Sequence, residues 1–294
     1  MDVSVIIVNY NTRLLTHNCI DSIFKYTKDV DFEVIVVDNA STDGSLEYFK
    51  EDNRIKYIYS NENLGFGRAN NLGYQYAQGK YLFLLNSDTV LLNNAIGLFY
   101  DNAEKETNLS VGCWGTMMYD SNRKITISYG GFLSLWKDIY FMLFYPIAIK
   151  LSLIAFLPKI YNYPTYDGIV DFISGADLFM KKEVADKYGL FDPFYFLYCE
   201  ETDMQRRFNH FNVYSKIIHS PKIIHFNGGS QKKGVNYKMN IIKLKSKIYY
   251  FKKWNNPLLF YAYAFSVTLL KIPIFLISRQ PVHYKLQYLK TLWG

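Results

Sequence analysis

Residues 3–39 read VSVIIVNYNTRLLTHNCIDSIFKYTKDVDFEVIVVDN, and this stretch decides the fold. Residues 3–8 form a continuous apolar run, which is typical of a strand that is covered on both faces. Apolar residues then recur at helical spacing from Leu14 to Phe24, and a second apolar run covers residues 32–37. A buried strand, a helix and another buried strand predict two parallel strands joined by a crossover helix.

The same alternation continues along the chain. We predict strands at 55–59 and 81–85 with a helix at about 69–77 between them, then a helix at 93–108 and a strand at 111–118. This succession, at intervals of about 25 residues, predicts an α/β fold with a parallel sheet and helices on both faces. Ligands of such sheets bind at the carboxyl ends of the strands.

Polar clusters follow four of these strands, so we expect them to converge at one edge of the sheet. They are Asn9–Asn11, Asp38-Asn39, Asn63–Asn70 and Asn86–Asp88. Asp38 can accept a hydrogen bond from the N–H of a pyrimidine base or from a ribose hydroxyl. The bare backbone around Gly65 can approach a phosphate at the positive end of a helix dipole. Asn86 and Asp88 can face one hard cation, Mg²⁺ or Mn²⁺.

Each cluster taken singly also has an ordinary structural explanation. Asp38 fits a turn or a helix cap, and Asn86-Ser87-Asp88 fits a turn. The glycine loop matches neither the Walker A motif nor GxGxxG. The functional interpretation therefore depends on all four clusters lying at successive strand ends.

Residues 172–203 end in crowded carboxylates behind an aromatic run at 191–198. The acids of this stretch that we single out are Asp177, Glu200, Glu201 and Asp203. A fold tolerates such crowding where a positive group or a transferable proton lies between the acids. Acids in the first turn of a helix also complement its dipole, and that alternative stays open for each of them.

Composition excludes several classes of protein. Half of the 294 residues are hydrophobic, which excludes a disordered chain. Cys19, Cys113 and Cys199 form no CxxC motif, so we expect neither a disulfide framework nor a zinc site. No basic segment precedes the first apolar run, so we expect no secretory signal and a cytosolic location.

Charge divides the chain into two parts. Residues 1–203 carry a formal net charge of −9, whereas residues 204–294 carry 16 Lys and Arg and no acid. The tail from Lys232 has a basic amphipathic pattern, and the uncharged run 258–270 follows it. We expect a helix that lies on an anionic membrane surface rather than crossing it. A solvated basic face on a soluble helix pair is the alternative, and the absence of a known motif argues against nucleic acid.

The hydrophobic segment 132–160 contains Pro146, Lys150 and Pro158. Its uncharged runs are shorter than the roughly 20 residues that span a bilayer. A core helix or a variable insertion explains the segment as well as an interfacial helical hairpin that lines the acceptor site.

A set of motifs in fixed order carries a resemblance to a known family. They are SVIIVNYN, VVDNASTDGS, NENLGFGRANNLG, YLFLLNSD, SGADLFMKKEV, FLYCEETDMQRR and IIHFNGGS. Over about residues 3–230 the chain resembles the inverting family 2 glycosyltransferases of GT-A (Rossmann-like) fold, and within them the bacterial rhamnosyltransferase-like branch. The resemblance implies a dTDP- or UDP-linked sugar donor and a divalent cation, Mg²⁺ or Mn²⁺.

The resemblance also implies roles for individual residues. It assigns Asp38 to the base or ribose, Asp88 to the metal and the Glu200-Glu201 pair to the catalytic base. Asn86 stands where many relatives have the first aspartate of DxD, so Asp88 is the only carboxylate of that motif, and we expect His225 to be a further metal ligand. The nucleotide or donor site is predicted to comprise Asn9, Tyr10, Asn11, Asp38, Asn39, Gly65, Phe66, Arg68, Asn70, Asn86 and Ser87. The acceptor or sugar site is predicted to comprise Asp177, Tyr198 and Asp203.

The function predicted from these residues is metal-dependent glycosyl transfer with inversion in cell-surface polysaccharide synthesis. The leaving diphosphate needs charge neutralisation rather than a proton, so one carboxylate suffices as general base. Glu201 is our first choice and Glu200 the second. The acceptor is expected to be a membrane-anchored, lipid-linked saccharide, and rhamnose is one candidate for the sugar. A sugar-phosphate nucleotidyltransferase and a non-catalytic, membrane-associated nucleotide-sugar binder are the alternatives.

The predicted domain organisation follows from these two parts. Residues 1–230 form a GT-A domain that contains the hydrophobic insertion at about 132–160, and residues 231–294 form a mainly helical, membrane-associating extension. We expect the protein to be peripheral on the cytoplasmic face of the inner (plasma) membrane.

Overall fold

The structure of the chain is a computed structural model, and it describes residues 1–108, 110–150, 167–226 and 236–294. The elements of these residues are, in chain order, β1 (Val3–Asn9), α1 (Arg13–Tyr26), β2 (Phe32–Asn39), α2 (Ser45–Phe49), β3 (Lys56–Ser60), α3 (Phe66–Tyr74), β4 (Tyr81–Asn86), β5 (Thr89–Leu91), α4 (Ala95–Lys105), β6 (Val111–Gly115), β7 (Met118–Tyr119), β8 (Ile125–Thr126), β9 (Tyr129–Gly130), α5 (Leu135–Lys150), β10 (Gly168–Val170), β11 (Phe172–Ile173), β12 (Asp177–Lys181), α6 (Lys182–Tyr188), α7 (Glu200–His210), β13 (Tyr214–Ile217), β14 (Ile223–His225), α8 (Tyr237–Trp254), α9 (Pro257–Ile277) and α10 (Val282–Trp293).

The main sheet has the strand order β10-β13-β6-β12-β4-β1-β2-β3. Strands β1 to β4 are mutually parallel where they pair, as the alternation of strands and helices predicts. Strand β12 is antiparallel to both of its neighbours, β4 and β6, so the sheet is mixed rather than wholly parallel. A small sheet of order β5-β14-β7-β8 lies outside this main sheet.

Strand β1 shows why the apolar runs are continuous. Val5 and Ile7 are fully buried in one hydrophobic cluster, whereas Ile6 between them is fully buried in another. Because successive side chains of a strand point to opposite faces, both faces of the sheet are covered. The prediction of a single strand at 111–118 is wrong. These residues belong to two strands, β6 and β7, which two residues separate.

The described residues fall into two compact units. The first takes 1–108, 110–131, 167–196 and 200–226, and the second takes 132–150, 197–199 and 236–294. The predicted boundary after residue 230 lies outside the described residues, as do the last ten residues, 151–160, of the hydrophobic insertion. The domain boundaries therefore stay predictions.

The second unit is helical, and it is built from α5, α8, α9 and α10. Its buried residues include Leu244, Phe251, Phe260, Val267 and Leu292. Helix α9 is long and apolar enough to cross a membrane by length and composition, and it is the one such helix among the residues that the structure describes. In α5, Leu135 is buried whereas Trp136 and Phe144 are exposed, so this helix of the insertion exposes apolar side chains.

Candidate active site

The polar clusters after β1, β2 and β4 meet at the carboxyl edge of the main sheet. Asn9 is opposite Asp38 in the β1–β2 pair, and Val8 is opposite Asn86 in the β1–β4 pair. Asn9 is fully buried, and its amide donates to Asp38 Oδ2 over 3.0 Å and to Ser41 Oγ over 3.1 Å. The register of the parallel strands therefore brings the first two clusters and the start of the fourth to one place.

Asp38 is fully buried at the end of β2 and accepts three hydrogen bonds. Oδ2 accepts from Asn9 Nδ2 and, over 2.6 Å, from the hydroxyl of Tyr57, while Oδ1 accepts from the Ser41 N–H over 2.7 Å. Burial and the neighbouring carboxylate raise the pKa of Tyr57, so this phenol stays a donor. A carboxylate offers about four acceptor positions. Because Asp38 is fully buried, its binding of a base or a ribose hydroxyl stays a prediction that needs neighbouring residues to move.

The loops after β1 and β2 are tied to each other. The Asn11 side chain accepts from the Thr42 N–H over 2.7 Å, and the Asn11 N–H donates to Ser41 Oγ over 2.9 Å. Tyr10, which precedes Asn11 in the loop after β1, is 43% exposed, so its ring is available to stack on a planar ligand. The Thr12 hydroxyl lies 3.0 Å from that of Ser87, which joins these loops to the end of β4.

The glycine loop is held by side chains rather than left open. Asn39 Oδ1 accepts from the Leu64 N–H over 2.7 Å, and Asn63 Oδ1 accepts from the Gly65 N–H over 2.9 Å. The Phe66 N–H donates to the carbonyl of Phe196 over 2.9 Å. These three N–H groups already have protein acceptors, so direct phosphate binding through Gly65 and Phe66 stays a prediction that needs this loop to rearrange.

Gly65 can only be glycine in this arrangement. Its φ is +80°, and a Cβ there would lie 2.0 Å from the Phe196 carbonyl oxygen. Helix α3 starts directly after Gly65 and contacts the aromatic run 191–198. The Asn71 amide donates to the Phe191 carbonyl over 2.8 Å, and the Asn71 side-chain oxygen accepts from the Phe191 N–H over 3.1 Å. The glycine loop and the residues that lead to Glu200 therefore form one packed assembly.

Two predicted donor-site residues on α3 have structural partners. Arg68 Nε donates to the Leu64 carbonyl over 2.7 Å, and the guanidinium is part-buried. Asn70 is buried, and its amide donates to the Phe66 carbonyl over 3.0 Å. Arg68 retains further N–H donors for a ligand, whereas Asn70 acts within its own helix.

The predicted metal ligands Asp88 and His225 are brought together. His225 Nε2 lies 3.0 Å from Asp88 Oδ1, and both side chains are about one-seventh exposed. The contact exists because β14 pairs antiparallel with β5, which sets His225 opposite Thr89, and because the Phe226 N–H donates to the Asp88 carbonyl over 2.9 Å. The Asn86 amide nitrogen lies 3.4 Å from His225 Nε2.

This pair fits a divalent cation whose remaining coordination positions would be filled by a bound diphosphate and water. Mg²⁺ binds its ligands at about 2.1 Å in octahedral geometry, so two adjacent ligands of one ion lie about 3 Å apart. Among the described residues, no group of three or more His, Cys, Asp or Glu side chains could hold a metal ion. Mg²⁺ is usually held by one or two carboxylates, with the other positions left to phosphate oxygens and water. Asp88 supplies one carboxylate, and His225 adds an imidazole. The residues present therefore fit Mg²⁺ or Mn²⁺ in the presence of a diphosphate.

The acidic helix α7 begins at Glu200, and its first turn holds all three predicted acids. Tyr198 and Cys199 just before it have φ of +71° and +68°, a conformation that residues other than glycine adopt at a cost. Glu200 is nearly buried, and its Cβ would lie 3.5 Å from a Cβ placed on Gly67. Burial raises the pKa of Glu201, whose Oε2 has no hydrogen-bond partner among the residues that the structure describes. A raised pKa brings a carboxylate closer to the value that suits a general base near neutral pH.

Gln205 fixes the position of this helix, and the sequence analysis missed it. It is buried, its oxygen accepts from the Ile173 N–H over 2.8 Å, and its amide donates to the Ile173 carbonyl over 2.7 Å. The same amide lies 3.1 Å from the Glu201 carbonyl, and the oxygen also accepts from the Ser215 hydroxyl over 2.8 Å. A glutamine four residues after Glu201, on the side that faces the sheet, is the only sequence signal for this role.

Asp177 and Asp203 are predicted to bind the acceptor or donor sugar or to position the helix. Both are fully buried. Asp177 Oδ2 accepts from the Thr116 N–H over 2.7 Å, and burial raises the pKa of Asp177 to about 8, against hydrogen bonds from Thr116, Ser128 and Ser174 that lower it. Their role in binding a sugar stays a prediction that needs neighbouring residues to move. Tyr198 is half-buried in the second unit, where Lys243 Nζ lies 4.5 Å from its ring centroid.

Comparison with known proteins decides the family. Residues 4–188 match the family described as Glycosyl transferase family 2. The chain belongs to this family. Glycosyltransferase GlyG of Streptococcus pneumoniae serotype 4 is 31% identical over 115 residues, which are 37% of this chain and 38% of that protein.

Solved structures confirm the fold of this family 2 chain. GalNAc-T7, crystallised with UDP, GalNAc and Mn²⁺, superposes with a TM-score of 0.61 and 16% identity over 90% of this chain and 50% of that one. Residues 1–349 of TarS from S. aureus give a TM-score of 0.53 and 15% identity over 100% of this chain and 71% of that one. The predicted GT-A fold with a helical C-terminal region is confirmed. The chain spans well under half of the curated relative and half of GalNAc-T7, so we treat activity and substrates as proposals.

Proposed function

We propose that this chain transfers a glycosyl group, with inversion, from a nucleotide-diphosphate sugar to a hydroxyl of a saccharide acceptor. The observation that carries the proposal is the Asp88–His225 pair, 3.0 Å apart directly after the strand that ends at Asn86. A metal-assisted departure of a nucleoside diphosphate requires a cation that protein ligands hold beside the diphosphate, and this pair would supply two such ligands. The family match supports the reaction class.

The donor would lie along the carboxyl edge of the sheet. Tyr10 would stack on the base, Asp38 would use its remaining acceptor position for the base or ribose, and Arg68 would bind a phosphate oxygen. UDP and dTDP are both candidate nucleotides, and UDP in the GalNAc-T7 structure supports the first. Rhamnose stays one candidate for the sugar.

Glu201 is proposed as the general base. Its carboxylate would take the proton of the acceptor hydroxyl while that oxygen forms a bond to the anomeric carbon from the face opposite the diphosphate. The bond from the anomeric carbon to the diphosphate breaks, and its electron pair leaves with the nucleoside diphosphate. A divalent cation held by Asp88 and His225 would neutralise the charge that develops on this leaving group. Glu200, nearly buried beside α3, is the second choice.

A lipid-linked acceptor is proposed because the tail is basic and α9 is apolar. An enzyme that takes its donor from the cytosol and its acceptor from the membrane would lie on the cytoplasmic face of the inner (plasma) membrane as a peripheral protein. Cell-surface polysaccharide synthesis is the process that this arrangement would serve.

Isothermal titration with a panel of UDP- and dTDP-sugars, with and without Mn²⁺, tests the donor part of the proposal. Binding of at least one donor that strengthens with Mn²⁺ is expected, and binding of none would refute it. Turnover with a lipid-linked saccharide is then followed by release of nucleoside diphosphate. Release of pyrophosphate from a sugar phosphate and a nucleoside triphosphate would instead identify a nucleotidyltransferase, and donor binding without any turnover would identify a binding protein.

A further inference from the structure

Helix α9 exposes an apolar face along its whole length. The exposed side chains recur every three or four residues, so they share one face of the helix. They are Leu258, Tyr261, Phe265, Leu269, Ile272 and Leu276, and each is between 42% and 80% exposed. A helix at a protein surface normally turns polar residues outward. A contiguous apolar face of this kind marks an interaction site.

The opposite face of α9 is already occupied within the second unit. Phe260, Ala264 and Val267 are buried, and the Tyr263 hydroxyl donates to Asp138 Oδ2 on α5 over 2.6 Å. Asp138 also forms an ion pair with Lys247 on α8, with Oδ1 and Nζ 2.8 Å apart. The inner face of α9 is thus attached to charged groups on two neighbouring helices.

This attachment decides how α9 can meet a bilayer. At about 1.5 Å per residue, its 21 residues are long enough to cross the roughly 30 Å hydrocarbon layer. Tyr263 lies at about one-third of the length of α9. If α9 crossed the bilayer, Tyr263 would enter the hydrocarbon together with the Asp138–Lys247 ion pair, and burying these charges there is costly. A helix that lies in the plane of the interface leaves the pair on the aqueous side and buries only the outer face.

Aromatic groups at one end of the outer face fit the same arrangement. The ring of Tyr261 stacks on that of Trp293 of α10, with centroids 6.5 Å apart, and both are half-exposed. Trp293 Nε1 donates to the Thr268 hydroxyl over 3.0 Å, which holds the indole against α9. Tyrosine and tryptophan concentrate at the headgroup level of membranes.

Charge selects the occupant of this face. The sequence from 234 to 294 contains ten Lys and Arg and no acid, and Asp138, the one acid in 132–162, is paired with Lys247. A second copy of the chain would bring two positively charged surfaces together, whereas anionic lipid headgroups complement the charge. Exposed Lys252 and Lys253 stand at the end of α8, just before α9 begins.

We propose that α9 lies in the plane of an anionic bilayer surface, with its Leu258–Leu276 face inserted among the lipids. This deepens the proposed function, on which it rests only for the idea that the acceptor is lipid-linked. Vesicle binding is measured without donor, acceptor or turnover, so its failure can be told apart from failure of the glycosyltransferase proposal.

The first experiment measures sedimentation of the full chain with vesicles of phosphatidylcholine alone or mixed with phosphatidylglycerol. We expect binding to the mixed vesicles that weakens as salt rises. Phe265→Asp combined with Leu269→Asp should lower the partition coefficient at least about tenfold, because both side chains would be inserted. The matched control, Ile125→Asp with Ile127→Asp, changes two residues of the first unit that are as exposed, and it should leave binding unchanged.

Circular dichroism and thermal unfolding establish that the variants fold, since all four side chains are more than half exposed. Equal binding of the α9 variant and the control would overturn the proposal. So would binding to neutral and anionic vesicles alike.

The second experiment measures depth. Spin labels are attached at Leu258→Cys, Phe265→Cys and Leu276→Cys in a Cys199→Ser background, because Cys19 and Cys113 are buried. A helix in the plane gives three similar depths of about 5–10 Å, whereas a crossing helix places the middle label near the bilayer centre. The second result would overturn the proposal. Dimers in solution that Phe265→Asp dissociates, without any vesicle binding, would assign the face to a second copy instead.

Discussion

The carboxyl edge of the sheet and the outer face of α9 differ in how their side chains are satisfied. At the sheet edge, Asp38 accepts three hydrogen bonds and Asn39 holds the glycine loop, all within buried surroundings. On the outer face of α9, Phe265 and Leu269 are exposed and contribute no polar group. Directional bonds fix positions, so the edge should be sensitive to single atoms. The helix face should respond to apolar area and charge, so conservative swaps there should matter little.

The strongest test of this difference is Glu201→Gln. Removing the proposed base should lower kcat by about 10²–10⁴-fold, because the amide cannot take the acceptor proton. Donor affinity and vesicle binding should both stay unchanged. The matched control is Glu183→Gln, an exposed acid in the first turn of α6. Wild-type turnover by Glu201→Gln would remove Glu201 from the role of base and leave Glu200 to be tested.

The sign of the pH dependence follows from the raised pKa of Glu201. The base is active when ionised, so turnover should fall as pH drops through a midpoint above the ordinary value of 4.5. A pH–rate profile of kcat/KM measures this midpoint. A midpoint below 4.5 would contradict burial as the controlling effect.

Gly65→Ala tests the packing between the glycine loop and the stretch before α7. The new Cβ would lie 2.0 Å from the Phe196 carbonyl oxygen and would also require a residue other than glycine at φ of +80°. We expect a loss of about 3 kcal/mol in the free energy of unfolding. Gly189→Ala is the control, since its φ is +79° but its nearest contact is an Arg207 nitrogen at 3.4 Å. Equal losses for the two would mean that the contact with Phe196 contributes nothing.

His225→Ala tests the metal pair without relying on turnover. Titration of a nucleoside diphosphate with Mn²⁺ should show an affinity about 10–100-fold weaker than wild type, a typical effect of losing a group that supports a metal. Without Mn²⁺ the two proteins should bind alike. His219→Ala is the matched control, because His219 pairs with Asp167. Full Mn²⁺-dependent affinity of His225→Ala would show that the contact between Asp88 and His225 has a structural role and does not bind the metal.

Asp177 is expected to give the free energy of unfolding a slope with pH. Its pKa in the folded state, about 8, lies above the ordinary 3.8, so the folded chain binds the proton more tightly than the unfolded one. This contribution is complete below pH 3.8 and is lost as pH rises to about 8, at up to about 1.4 kcal/mol per pH unit. Asp177→Asn should flatten the slope in denaturant titrations between pH 5 and 8. An unchanged slope would show that another group causes it.

Much of the fold could be predicted from local patterns. Helix α1 runs from Arg13 to Tyr26, which covers the stretch from Leu14 to Phe24 where apolar residues recur at helical spacing. The parallel strands could be predicted because each continuous apolar run requires burial on both faces. The antiparallel placement of β12 between β4 and β6 could not, since an apolar run carries no information about its partner or its direction.

The site was predictable in part for a related reason. The polar clusters at the strand ends could be identified from the sequence, because the order of strands and helices alone brings them to one edge of the sheet. The structural roles of Asn39 and Gln205 could not be predicted. Their hydrogen-bond partners are backbone groups of Leu64 and Ile173, which no side-chain pattern reveals. His225 was assigned from resemblance, and the structure supplies the physical cause, which is the pairing of β14 with β5.

The pairing of β14 with β5 also has a consequence for how the protein is made. Asn86 and His225 are neighbours in space but 139 residues apart in the chain. During synthesis Asp38, in β2, and Asp88, between β4 and β5, emerge long before His225 does. A nascent chain that has reached only residue 188, where the family match ends, therefore already contains the proposed nucleotide site but lacks His225, one half of the proposed metal pair. Closing so long a loop is slow, so metal-dependent donor binding should appear late in refolding, after the sheet has formed.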